Sequence, residues 1–113
     1  MWMSRFDPSV DKPIETMANS KKKCPTFGAW SAERFHMDGK ISHWADTVTA
    51  VNLAGTLEFH SASLNRMMKT PVAPSVVHMF NHQTHHRGQV HAMMTDMGLQ
   101  APVSDLFLMP EDA

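Results

Sequence analysis

The chain has 113 residues, the size of one domain, and its 42% hydrophobic and 19% charged content can build a core, which excludes a disordered composition. Ten Lys+Arg against eleven Asp+Glu leave a formal charge of -1, so no basic excess marks a nucleic-acid or anionic-membrane surface, and neither is expected as a partner. No apolar run approaches the roughly 20 residues of a spanning helix. A single cysteine, Cys24, excludes an intramolecular disulfide framework. With an opening, Met1-Trp2-Met3-Ser4-Arg5-Phe6, that lacks the order of a signal peptide, it predicts a cytoplasmic protein.

Residues 1–6 read as the last turn of a helix, stopped at Asp7-Pro8 because proline disfavours helical backbone in the residue before it. Residues 7–28 hold Pro8, Pro13, Pro25 and the run Lys21-Lys22-Lys23 without periodicity, and they read as a long surface loop with the lysines in solvent. Trp30, Met37, Ile41, Trp44, Val48 and Val51 then recur at helical spacing, with Ser31 as the candidate cap. His36 and His43 flank this stripe as surface or hydrogen-bonded histidines.

After Gly55, Thr56-Leu57-Glu58-Phe59-His60-Ser61 alternates as a strand does, and residues 64–70 can return as its partner in a small hairpin. Pro74 suits the first turn of a final helix, and Gly98 suits the position just past its end. Residues 99–113, with Pro102 and Pro110, read as irregular. The fold class is therefore mainly α, with two long helices and a minor hairpin.

Five of the eight histidines, His78, His82, His85, His86 and His91, fall within the final helix. Imidazoles four residues apart share a helix face and can converge on one metal ion. At about 100° per residue, and with His82 at zero, His86 falls near +40°, Met93 near +20° and Met79 near +60°, whereas His78 and His85 fall near −40° and −60°. His82 and His86 are thus the pair turned most toward the apolar face. Satisfied core or interface histidines remain the alternative. Gln83 stands where the glutamate of a zinc-protease HExxH would be, so zinc proteolysis is unsupported. Gln89, near −20°, is a candidate hydrogen-bond donor to a ligand imidazole, and Arg87, about 140° from His82, reads as a partner in a surface or interface ion pair. No nucleophile elbow or Gly-rich phosphate cradle occurs, so no catalytic residue is assigned.

The run His78-Met79-Phe80-Asn81-His82-Gln83-Thr84-His85-His86-Arg87-Gly88-Gln89-Val90 closely resembles the signature of the DinB-like, DNA-damage-inducible family of metal-dependent proteins. Met1 to Phe6 is similar to the end of that family's second helix. Trp30 through Trp44, with Arg34 and Asp38, is similar to its third, and the tail from Gly98 through Pro102 and Asp105 to Pro110 is similar as well. The resemblance implies a four-helix bundle in which three histidines hold a divalent metal, zinc or nickel. Two of these map to His82 and His86. The third belongs to the second helix, and by this alignment it precedes Met1, together with the first helix and most of the second. The expected form is therefore a truncated bundle of two long helices plus a hairpin, completed by a homodimer, with His78, His85, His60 or a histidine of the second chain as additional ligands. Members similar to this family include thiol-dependent S-transferases and a glutathione-dependent isomerase. The resemblance thus implies metal-dependent transfer involving a low-molecular-weight thiol. The alternative is a non-catalytic helical homodimer whose metal site is degenerate or empty. The damage label is a family name and carries no activity.

Overall fold

A computed structural model of the chain describes residues 1–14 and 17–108. It is mainly helical: α1 (Met3–Phe6), α2 (Phe27–Thr47), α3 (Ala50–Leu53), the antiparallel strands β1 (Thr56–Ser61) and β2 (Arg66–Pro71), and α4 (Val72–Asp96). Short 3-10 turns span Met17–Lys22 and Leu106–Leu108. The chain divides into two compact units, Met1–Val76 and Val77–Ala113, with the boundary inside α4. Among the described residues, no helix is long and apolar enough to cross a membrane.

The first unit is organised by aromatic rings. Trp2 stacks on Phe6 with ring centres 5.9 Å apart and meets Phe59 of β1 edge-on at 6.0 Å. Phe6 stacks on Trp44 of α2 at 5.7 Å. The guanidinium of Arg5 lies 4.5 Å from the Trp2 ring centre and 3.8 Å from that of Phe59, so the cation is held between two π faces. One turn of helix thereby links the hairpin to α2, and beneath it Met3 and Val10 are buried. The described residues of 7–28 are mostly exposed, as the surface-loop reading expects, with Val10 the buried exception. The segment is more ordered than a bare loop, with a 3-10 turn at Met17–Lys22 and an ion pair of Lys23 with Glu33 of α2 at 2.9 Å.

The start of α2 also differs from the sequence reading. Its cap is Thr26, whose Oγ1 accepts from the Ala29 N–H at 3.2 Å, four residues before the stripe begins; Ser31 lies inside the helix. The stripe is half-buried at Met37, Ile41 and Trp44, whereas Trp30 is 50% exposed. It does not continue through Val51, which is 81% exposed. The β-branched run Thr47-Val48-Thr49 ends α2, and Thr49 opens α3 with a reciprocal capping box: Asn52 N–H donates to Thr49 Oγ1 and Thr49 N–H to Asn52 Oδ1.

The expected hairpin forms, with Leu57 opposite Thr70, Glu58 opposite Lys69 and Phe59 opposite Met68. Leu57, Phe59, Met68 and Thr70 share the inner face, and Glu58 and Lys69 pair across the outer one at 2.9 Å. The return strand starts at Arg66, later than the residues 64–70 read from sequence, because Leu64 and Asn65 belong to the turn and Asn65 adopts φ 47°. Ser75 is buried in the first turns of α4, and its hydroxyl donates to the Pro71 carbonyl at 2.8 Å.

At its other end, α4 closes as the glycine predicts. Gly98 has φ 71°, its N–H reaches the Thr95 carbonyl, and the Leu99 N–H reaches that of Met94. This is the paired-bond motif that left-handed glycine permits. The tail beyond it includes the turn at Leu106–Leu108, and Pro110 lies outside the described residues.

Two substitutions test these assignments. Trp44→Ala should lower the unfolding free energy by about 2 kcal/mol, less than the ~3–5 kcal/mol of a fully buried ring because Trp44 is half-exposed. Gly98→Ala should cost about 1 kcal/mol through backbone strain alone, since nothing lies within 4 Å of the added methyl. Urea unfolding followed by circular dichroism reads both.

Candidate metal centre

Residues 82 and 86 are separated by one turn of α4, and the helix brings their rings together. The two imidazoles meet at nearly a right angle, 87° between planes, with His82 Nε2 and His86 Nε2 3.1 Å apart. On the far side of its ring, His86 Nδ1 lies 2.8 Å from Gln89 Oε1. The carbonyl oxygen of Gln89 only accepts, so His86 carries its proton on Nδ1 and presents a bare lone pair at Nε2. His82 must then donate its Nε2 proton into that lone pair. Gln89 thus accepts from His86 Nδ1, whereas the sequence reading had it as a donor.

This geometry fits two adjacent ligands of one cation. Metal–imidazole bonds of about 2.0–2.1 Å to nitrogens 3.1 Å apart subtend about 95–100°, between the octahedral and tetrahedral values. His86 is already in the coordinating tautomer; His82 reaches it by moving its proton to Nδ1.

The other candidates are arranged differently. His78 stacks on His82 at 5.5 Å and 23°, and His85 lies 6.4 Å from His82 at 25°. Nearly parallel rings carry nearly parallel in-plane lone pairs, which do not aim at one point. His85 also sits 5.3 Å from His86, and His60 occupies β1 opposite Met67. Among the described residues, no three His, Cys, Asp or Glu side chains are grouped to hold a metal together. The donor set is thus two histidines, short of the three that the resemblance implies.

The inward orientation expected of the pair is also corrected. In α4 the covered positions are Val72, Ala73, Ser75, Val76, Met79, Gln83 and Met94, while His82 and His86 are exposed. The covered face is centred roughly 80° around the helix from His82, and the apolar phase was read as if the whole stripe were covered. Val90 and Met93 belong to that stripe yet remain 55% and 61% exposed. Arg87 donates from its guanidinium to Thr84 Oγ1 at 2.9 Å.

Sequence reasoning missed a second feature, a cleft of about 350 Å³ in the first unit. Phe6, Trp44 and Leu57 form apolar walls, and Asp7, His43 and Asn52 bring polar groups. Asp7 is held below the usual carboxylate range by hydrogen bonds from Ser9, and nearby His43 and Lys40 add to this. Its residues come from five elements and the segments between them, so no local spacing announces it.

The family model described as the DinB family matches residues 1–113. Comparison with curated proteins and with solved structures returns no match.

The four clustered rings set the titration of His82. Partial loss of hydration lowers its pKa below the ordinary 6.5, and the charges that His86, His78 and His85 would carry lower it further. The neutral ring is therefore favoured in the fold. Below pH 6.5 the unfolded chain takes up this proton first, so stability falls as pH drops from there through the native value. A proton-NMR titration should show His82 titrating below a peptide histidine, and His86→Ala should move it upward.

Proposed function

We propose that this chain, which belongs to the DinB family, binds a divalent metal ion, zinc or nickel, through His82 Nε2 and His86 Nε2 and uses it on a small thiol. One observation carries the reading: two ring nitrogens 3.1 Å apart at right angles, with Gln89 holding the proton of His86 on the opposite nitrogen. Helical histidines four apart are common, but a pair with converging lone pairs and a fixed tautomer has the arrangement of ligands with a supporting shell.

When bound, a divalent cation supplies Lewis acidity and makes a coordinated thiol or water more acidic near neutral pH. The chain's residues do the rest. His82 gives up its Nε2 proton to Nδ1 or solvent, Gln89 keeps His86 from rotating, and exposure of the pair leaves the remaining positions open to a thiol from solution. Thiol transfer is the activity proposed for that site, and a cytoplasmic location would supply the thiol.

We also propose that the chain acts as a homodimer. Val77, Val90, Met93 and Met97 on and after α4, and Phe27 and Phe35 on α2, are each more than half exposed, more apolar surface than a lone helical chain ordinarily leaves in water. A second reading, a non-catalytic helical dimer with a degenerate or empty site, is favoured by the missing third ligand among the described residues.

Elemental mass spectrometry on untagged protein decides between them. Bound divalent metal in the wild type, lost in His82→Ala/His86→Ala, is the expected result, with Gln89→Ala weakening affinity about 10–100-fold. Cobalt-loaded protein should then gain a thiolate absorption band when a small thiol is added. Metal-free wild type after zinc or nickel loading would overturn the metal reading and leave the non-catalytic dimer.

A further inference from the structure

We infer that the cleft of the first unit binds a small primary amine, with the ammonium on the Asp7 carboxylate and an apolar body against Phe6, Trp44 and Leu57. The site shares no residue with the histidine pair and does not depend on the metal reading.

Charge selects the head of the ligand. Of the eleven residues that line the cleft, only Asp7 carries a formal charge, and none is Lys or Arg. Ser9 donates to this carboxylate from its backbone N–H, 2.9 Å from Oδ1, and from its hydroxyl, which favours the ionised form. A carboxylate has about four lone-pair sites, so the bonds from Ser9 leave room for an ammonium. Lys40 and His43 are near enough to stabilise the charge, yet neither forms an ion pair with Asp7 among the described residues. The other polar groups are largely engaged within the chain. Thr47 Oγ1 donates to the Trp44 carbonyl at 3.0 Å, and Asn52 Oδ1 accepts from the Thr49 N–H and hydroxyl at 2.9 and 2.6 Å. His43 also lines the cleft, and a neutral imidazole offers one acceptor nitrogen to an ammonium proton.

The walls select the body. Phe6 stacks on Trp44 with ring centres 5.7 Å apart, and Val48, Leu57 and Val72 add aliphatic surface. The same column of rings already takes a cation at its other end, where Arg5 lies over Trp2. A volume of about 350 Å³ is at the small end of the roughly 300–1,000 Å³ of small-molecule sites, which suits an amine with one ring or a short branched chain. An anion would meet Asp7 with no Lys or Arg in the lining to receive it. A neutral apolar molecule would strip water from the carboxylate without replacing the lost hydrogen bonds.

Two-dimensional amide NMR on the full chain, titrated with 2-phenylethylamine, 2-phenylethanol and phenylacetate, tests the inference. The three probes share a phenyl ring and differ in whether the head is cationic, neutral or anionic. The expected result is saturable shifts at Trp44, Asn52 and Leu57 with the amine, about 10-fold weaker binding of the alcohol, and no binding of phenylacetate. Asp7→Asn keeps an acceptor for the Ser9 N–H; it should weaken the amine about 10-fold and leave the alcohol unchanged. The probe series is read on the wild type, so it stands even if the variant folds poorly. Alcohol binding as tight as the amine, or phenylacetate binding at these residues, overturns recognition of a cation. Unchanged amine affinity in folded Asp7→Asn overturns the role of Asp7. Amine shifts that fail to saturate, or that miss the lining residues, overturn the site itself.

Discussion

A single turn of helix carries the first unit. Residues 3–6 are too few to be stable alone, since the first hydrogen-bonded turn fixes several dihedral angles for little return. That turn persists because Trp2 and Phe6 project from it to Phe59 on one side and Trp44 on the other, with Arg5 laid across the rings. Aromatic contacts of this kind contribute about 0.5–1.5 kcal/mol each beyond the area they bury. The hairpin, itself only two strands, depends on the same rings, because an isolated pair of strands is marginal in water. Loss of that turn would expose Phe59 and Trp44 together.

The second unit depends on very little besides α4. Its centre of interest is made by helical periodicity: two residues one turn apart, and a third three positions on. The angle between the imidazoles separates them from their neighbours. His78 and His85 lie as close in sequence and almost as close in space, but stacked rings share faces while crossed rings share a point. The covered stripe of α4, through Val76, Met79 and Gln83, leaves this point on the open side.

Much of this was legible in advance, for identifiable reasons. The first hairpin strand follows from alternation of Leu57 and Phe59 with Glu58 and His60, and the end of α4 from a glycine whose positive φ closes the helix. The family was legible in the run from Asn81 to Gln89, and the match over the whole chain shows it. Four things were not legible. The α2 cap was misplaced because Phe27 and Trp30, stacked on each other at 5.6 Å, are largely exposed and do not mark the covered face. The break at Val48 was hidden by hydrophobic spacing that continues across it, when the deciding signal was the Thr49-x-x-Asn52 box. The outward setting of His82 and His86 could not be read from phase, because periodicity locates an apolar stripe without saying how much of it is covered. The direction of the Gln89 bond likewise needed atoms rather than angles.

Because both ring nitrogens and the amide that steadies them lie within eight consecutive residues, assembling the pair closes no long loop. Most sites gather groups from distant parts of a chain and vanish when any of those parts opens. This one needs only two turns of an intact α4, so its geometry is set within that helix. A segment of that kind behaves as a cassette: it keeps its geometry wherever a helix of the same phase is built around it, and the rest of the chain is free to change what the pair faces.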